Sequence, residues 1–315
     1  MAVALVTGGC GFIGTWVLRE LIEHSILPVV VDNQSMPVRW HRILKDDALR
    51  VIHAEARLTD PESLLQLIGR YKITHVIHLA AMLTPACQQD PWQGFQVNVA
   101  GSTAVFEAVR RSRQIQGLSY ASSYAVYGPE TGEDAALSNR PPTFYGAYKQ
   151  AVDLIAEQYA RHFGVSSVAV RPHVVYGPER TLGLTAGPSL ACRAAARKES
   201  YTIGYTGTVG YDYVEDVARA FVRAAIQAPA GSQVVDLPGE QLTTDQFLRV
   251  IEAVEPSCRG RIKVDGPAIP ANVPPHPRLI TELFPDWQPT TVIDGVVKTI
   301  EFYRSSFQRA ADDTR

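Results

Sequence analysis

Apolar residues fall along the chain in two alternating patterns. Short continuous runs, Val3-Ala4-Leu5-Val6 and Leu27–Val31, read as strands buried on both faces. Between them Phe12, Ile13, Val17, Leu18, Leu21 and Ile22 recur at helical spacing, which predicts a helix over 12–24. The alternation continues with strands at Arg50–His53, Thr74–Leu79, Gly117–Ser122 and Val165–Arg171. Helices are predicted over Pro61–Tyr71, 91–112 and 144–163, with Asp60 as an N-cap and Pro61 at the first helical position.

Strands alternating with amphipathic helices predict an α/β fold, a parallel sheet covered on both faces. Right-handed crossovers make it a Rossmann-type doubly wound sheet. After Pro172 the regularity fails. Helices are expected at 187–197, 215–227, 243–254 and 292–305, separated by irregular pieces. Residues 1–171 are therefore read as one Rossmann-type domain. Residues 172–315 are read as a smaller, partly interleaved C-terminal substrate lobe, with parts near 211–237 returning to the first domain.

Composition narrows the class. The 315 residues are 46% hydrophobic, enough for a sizeable core. A formal net charge of −2 gives no reason to expect nucleic acid or an anionic membrane as partner. Arg110, Arg111 and Arg113 read as a solvated helix end. No stretch approaches the ~18 apolar residues of a membrane span. The first apolar run starts at residue 3, so no secretory leader is expected. Cys10, Cys87, Cys192 and Cys258 lie far apart without metal-like spacing, as in a reduced cytoplasmic protein. No metal is expected. The one biased stretch is proline-rich, from Pro267 to Pro277.

Chemistry first appears in TGGCGFIG (7–14), which joins the first strand to the first helix. Gly8 suits a tight turn, Gly11 a close approach to a pyrophosphate, and Gly14 close helix–strand packing. The helix N-terminus adds free N–H groups and partial positive charge. Asp32, at the end of the second strand, suits a ribose 2′-hydroxyl and repels a 2′-phosphate, which favours NAD over NADP. A second constellation follows. In YGAYK (145–149), Tyr145 and Lys149 share a helix face. An ammonium there is expected to pull the phenol pKa toward neutrality, so that it exchanges a proton with a hydroxyl or carbonyl. A serine of YASSYAVYG (120–128) is placed to orient the same oxygen.

Taken in order, TGGCGFIG, VVDN (30–33), HLAA (78–81), NVAGS (98–102), SSYAVYG (122–128), YGAYK, RPHVVYGP (171–178) and YDYVEDVA (211–218) resemble the extended short-chain dehydrogenase/reductases. The branch resembled is that of the NAD-dependent epimerases and dehydratases. The resemblance implies a catalytic Ser123, Tyr145 and Lys149. It implies cofactor contacts from Gly8, Gly11, Phe12, Ile13, Gly14, Asp32, Asn33, Leu58, Leu79, Ala80, Ala81, Asn98 and Pro172, as well as from Tyr145 and Lys149. Arg57 stands where relatives place an aspartate beside the adenine; it either stacks over the base or is solvated. Thr84, Ser123, His173, Arg180 and Tyr213 are the substrate-binding candidates; the alternative pairs His173 with nearby backbone and leaves Arg180 at the surface. Tyr176 reads as scaffold.

Departures bear on the substrate. Val174 replaces the asparagine, and Val209-Gly210 the Arg-Asp pair, that hold a nucleotide diphosphate in nucleotide-sugar members. Tyr124 and Ala125 replace the Asp-Glu pair of the dehydratases. The expected function is hydride transfer at a carbinol or carbonyl of a small sugar, polyol or sugar acid. An NAD-retaining (nucleotide-)sugar epimerase is the alternative, and a catalytically silent NAD-binding regulator stands third. Helices 91–112 and 144–163 resemble a pair that docks relatives into homodimers. Val97, Val105, Phe106 and Ile155 suggest the surplus apolar face.

Overall fold

The computed structural model describes residues 2–128, 140–269 and 278–312, with side chains to 306. Most of the proline-rich stretch lies outside the described residues. The strands are β1 (Val3–Thr7), β2 (Leu27–Val31), β3 (Ile52–His53), β4 (His75–His78), β5 (Gly117–Ala121), β6 (Ser167–Arg171), β7 (Val174–Tyr176), β8 (Tyr201–Ile203), β9 (Thr208–Tyr213), β10 (Ser232–Asp236), β11 (Glu240–Thr243) and β12 (Ile262–Val264). The helices are α1 (Phe12–Glu23), α2 (Val38–Ile43), α3 (Pro61–Tyr71), α4 (Thr84–Gln89), α5 (Pro91–Phe95), α6 (Ser102–Arg111), α7 (Phe144–Phe163), α8 (Gly187–Arg197), α9 (Val214–Gln227), α10 (Thr244–Val254), α11 (Ile280–Leu283) and α12 (Val292–Asp312).

The chain divides into two compact units. The first comprises Met1–Arg171, Val217–Asp236 and Asn272–Pro285. It holds a seven-stranded sheet in the order β10-β6-β5-β4-β1-β2-β3, with every neighbouring pair parallel. This is a doubly wound α/β sheet, and its order reverses between β1 and β4. Ligands of such sheets bind outside the strand C-termini at that point. One face of the sheet packs Leu5, Val76 and Leu118 against Leu64, Leu67 and Ile68 of α3, Phe106 of α6, and Val152 and Ala156 of α7. On α9, residues from Val217 onward belong to this unit. There β5 approaches so closely that a Cβ on Gly117 would stand 1.8 Å from the Ala225 carbonyl.

Three predicted elements differ. The strand expected over 50–53 is reduced to Ile52–His53, because Lys45–Arg50 close as a 3₁₀ helix. The helix expected over 91–112 is broken by a π-helical turn at Gln96–Gly101, between α5 and α6. The irregular pieces after Pro172 include six short strands, β7 to β12, of which β10 joins the large sheet.

The second unit comprises Pro172–Asp216, Leu237–Ala271 and Asp286–Arg315. It carries a three-stranded sheet, β11-β9-β7, and a parallel pair, β12-β8. Its interior is aromatic: Tyr176 packs on Tyr211, Tyr213 and Phe247. Thr243 and Gln246 form a reciprocal capping box at the start of α10.

Candidate active site

The glycine loop at the end of β1 is shaped by close backbone contact. Gly8 has φ +76°, and a Cβ on it would meet Ala80 N at 2.7 Å. The loop ends of β1 and β4 therefore touch, at the strand-order reversal. A Cβ on Gly14 would stand 2.2 Å from the Gly8 carbonyl oxygen, so α1 begins hard against its own turn. At Gly11 an added Cβ meets only Gly8 O, at 3.1 Å. Gly11 is the N-cap of α1, and no side chain caps that helix end. A twelve-residue helix with a glycine-built, uncapped N-terminus fits a diphosphate.

Asp32, just past β2, accepts from Cys10 N at 2.9 Å through Oδ2 and from Gln34 N at 3.0 Å through Oδ1. Each oxygen keeps a lone pair for a ribose hydroxyl. Asp32 thus clamps the glycine loop as well, a role its sequence position does not reveal. Burial and the neighbouring Asp32 push the Cys10 thiol up to about 12, so it stays protonated. Trp40 of α2 is fully buried and donates from Nε1 to Gly9 O at 3.2 Å. Sequence reading passed over it; a lone tryptophan in an irregular stretch carries no motif. Asn33 and Arg57 are exposed. Arg57 lines an open cleft of about 440 Å³ with Glu55, Asp60, Glu62, Ser63 and Gln66. Leu58 packs on Gly101 of the π-helical turn, where a Cβ would come within 2.9 Å of it.

Beside the loop, His78 bridges Thr7 Oγ1 (2.6 Å) and Ser102 Oγ (2.8 Å). Burial holds its pKa down at about 3, so the ring is neutral. Asn98, in the π-helical turn, accepts from Met82 N at 2.8 Å and donates to Met82 O at 2.9 Å. Its amide thereby fixes the segment that follows Leu79, Ala80 and Ala81. Thr84 opens α4 and is half-buried.

Ser123 follows β5, with its Oγ accepting from Ala125 N at 3.1 Å. Tyr145 and Lys149 lie on the first turns of α7. Gly146 sets their approach: a Cβ there would stand 2.1 Å from Ala125 O, so only glycine lets α7 close on the serine turn. The structure brings all three side chains together. Ser123 hydrogen-bonds the Tyr145 side chain. The Lys149 ammonium lies 5.7 Å from the Tyr145 ring centre and donates to Ala121 O at 2.6 Å.

The expected lowering of the Tyr145 pKa is reversed. Burial pushes the phenol up to about 12, against the opposing bond from Ser123. Lys149, only 5% exposed, is itself pushed down to about 8 by burial. Its ammonium is directed at a carbonyl rather than at the phenol oxygen, which weakens its pull. At neutral pH Tyr145 is a protonated phenol, ready to donate a proton.

The remaining candidates belong to the second unit. Pro172 is its first residue and is buried. The His173 ring fits between Gly210 and Gly239, where Cβ atoms would come within 2.5 and 2.3 Å of it. Burial lowers its pKa to about 4. Arg180 donates to Val175 O and to Thr185 Oγ1. Tyr213 is buried against Tyr176, with the Lys298 ammonium over its ring. Val174 and Val209 lie on the paired strands β7 and β9, opposite Tyr211 and Leu242 respectively.

The model of the NAD dependent epimerase/dehydratase family matches residues 4–235, and the chain belongs to that family. It is an enzyme of the extended short-chain dehydrogenase/reductase type, and its cofactor is NAD. A UDP-glucose 4-epimerase of Mycolicibacterium smegmatis is 26% identical over 96% of this chain and 99% of its own length. Among solved structures, the NAD complex of the Thermus thermophilus UDP-glucose 4-epimerase superposes with a TM-score of 0.77. That match is 24% identical and covers 96% of this chain and 99% of the other. A partial-consensus L-threonine 3-dehydrogenase shares the fold equally well, at TM-score 0.78 and 19% identity, covering 97% and 99%. Among the described residues no helix is long and apolar enough to cross a membrane.

Proposed function

We propose that the chain moves a hydride at one carbinol or carbonyl of a sugar-like substrate, with Ser123, Tyr145 and Lys149 as its catalytic residues. The observation that carries this reading is the meeting of a hydroxyl, a phenol and an ammonium at the end of β5 and the start of α7. NAD, when bound, supplies the hydride acceptor and donor. Tyr145 Oη holds the proton at the reacting oxygen, Ser123 Oγ orients that oxygen, and Lys149 supplies positive charge beside them. Gly8, Gly11, Phe12, Ile13 and Gly14 would hold the pyrophosphate and Asp32 the ribose. A phenol raised to about 12 favours reduction as written, while oxidation needs the phenolate and should accelerate as pH rises.

We take the substrate to be a free sugar, polyol or sugar acid. The side chains of Val174 and Val209 neither donate nor accept hydrogen bonds, and they stand where the family resemblance expects polar partners for a diphosphate. A second reading, a nucleotide-sugar epimerase that retains its NAD, is favoured by the full-length likeness to a UDP-glucose 4-epimerase. The fold does not separate the two, since a threonine dehydrogenase shares it. Calorimetric titration with UDP, and with a UDP-hexose in the presence of NAD, decides between them. Weak or absent binding is expected; tight binding of either ligand would put the epimerase in its place.

The same reading includes a homodimer in the cytoplasm. Val105 and Phe106 are buried in the core, and Val97 and Ile155 are half-buried, so the four form no exposed face. An exposed aromatic band lies instead on α5 and α7. Trp92, 67% exposed, stacks on Phe95, and Phe144, 46% exposed, stacks on Tyr148. Phe95 meets Tyr148 edge-on and joins the two pairs into one patch. A second copy of this chain is the occupant proposed. Light scattering should give twice the chain mass at micromolar concentration, and Trp92→Glu should halve it. Four buried free cysteines support a reducing compartment.

A further inference from the structure

We propose that Asp153 is a positioning residue of the proton-transfer corner: its carboxylate keeps the Lys149 ammonium charged and ties α7 to the strand end carrying Ser123. This rests on the Ser123–Tyr145–Lys149 reading above. Asp153 stands one helical turn beyond Lys149, on the same face of α7. Its Oδ2 accepts from Ser122 Oγ at 2.8 Å, and from Arg171 Nη2 at 2.6 Å and Nε at 3.1 Å. Ser122 is the residue before Ser123, so the carboxylate holds the serine turn directly. Arg171 ends β6 and also donates from Nη1 to Tyr127 OH at 2.6 Å. Tyr127 OH in turn donates to Asp236, at the end of β10. One buried network thus joins the ends of β5, β6 and β10 to the helix bearing the tyrosine and the lysine.

The charges make the dependence specific. The groups that act on Lys149 or feel its charge are Asp153 on α7, His78 on β4 and Cys87 on α4, with the Tyr145 ring beside it. His78 is neutral, and burial raises the Cys87 thiol, which also stays neutral. Asp153 is therefore the one formal anion among these described neighbours. Lys149 and Arg171 are balanced by Asp153 and Asp236. Removing the Asp153 charge leaves two buried cations facing one anion. An arginine does not yield its proton, so the lysine must.

The test is nuclear magnetic resonance of the full chain, labelled with ¹³Cε-lysine and loaded with NAD. The Lys149 signal is assigned by its loss in Lys149→Met. Asp153→Asn should lower the titration midpoint of Lys149 by about one unit or more, the usual reach of a nearby opposite charge. Asp153→Glu, which keeps the charge, should leave the midpoint near that of the wild type. An unchanged midpoint in the asparagine variant overturns the proposal, as does an equal drop in the glutamate variant. Should the asparagine variant not fold, Asp153→Ser supplies the same neutral comparison, with the same outcomes expected and overturning. Turnover is not needed for this readout. A normal Tyr145→Phe turnover beside a shifted Asp153→Asn midpoint would thus sink the catalytic reading and leave the positioning role standing.

Discussion

Two helices of the first unit start against tight turns, and both need glycine to do so. At α1 a Cβ on Gly14 would stand 2.2 Å from Gly8 O; at α7 a Cβ on Gly146 would stand 2.1 Å from Ala125 O. Their N-termini are finished differently. No side chain caps α1, and its glycine-built N-terminus fits a diphosphate. At α7, Thr143 Oγ1 accepts from Gly146 N at 3.1 Å and closes the helix end. The open end binds with backbone, while the closed end devotes its first turns to Tyr145 and Lys149. Behind α1 the support named above is Asp32 at Cys10 N and the uncharged Trp40 at Gly9 O. Behind α7 it is a buried, balanced set of charges. Binding of a phosphate tolerates a generic cradle, whereas proton transfer needs its groups held in place.

The largest expected effect falls on the closed end. Tyr145→Phe removes the transferable proton with little change of shape. Turnover should fall about 10²–10⁴-fold, the usual worth of a general acid–base group, while NAD affinity barely changes. Stopped-flow measurement of NADH absorbance beside calorimetric NAD titration checks both halves. Near-normal turnover would end the assignment.

A pair of alanines then separates the two ends. Gly146→Ala must push α7 from the serine turn, at an overpacking cost of about 1–3 kcal/mol. It should lower turnover roughly tenfold or more and leave NAD binding intact. Gly14→Ala should do the reverse, weakening NAD by a similar factor. Both are read from NAD dissociation constants and turnover in folded protein, with circular dichroism as the control. Parallel losses in both quantities from both variants would show that the two helix ends are one cooperative site.

Much of this was legible in the sequence, for physical reasons that also mark where legibility stops. The strands of a parallel sheet are continuous apolar runs, so β1, β2, β4, β5 and β6 stand out. Asp60 and Pro61 gave the start of α3, because caps act locally; Asp60 accepts from Glu62 N at 3.0 Å. The π-helical turn at Gln96–Gly101 left no periodic trace, since it is set by Asn98 binding Met82, sixteen residues away. The strands β7, β8 and β12 of the second unit hide for a similar reason: three residues carry too little pattern. Glycines, Tyr145 and Lys149 announce themselves by spacing. Asp153 does not, although it lies four residues past Lys149, because its partners Ser122 and Arg171 come from distant strands. The phenol's pKa is likewise a property of burial, which spacing alone does not contain.

The smallest expected effect tests whether the open end is as neutral and forgiving as the comparison makes it. Trp40 supports the glycine loop through one bond between uncharged groups, from Nε1 to Gly9 O, inside the core. Trp40→Phe deletes that donor and part of the ring, leaving the Gly9 carbonyl without this bond. A net hydrogen bond is worth about 0.5–1.5 kcal/mol, and the smaller ring leaves space that lowers stability further. NAD should weaken by roughly three- to tenfold, because the loop loses one of several supports while Asp32 still holds it at Cys10 N. Turnover at saturating NAD should stay near that of the wild type, since α7 and its charge network are untouched. Calorimetry and saturation kinetics read the two quantities separately. If turnover instead falls with NAD saturated, the support beneath the glycine loop also positions the proton-transfer corner, and the separation between the two helix ends fails.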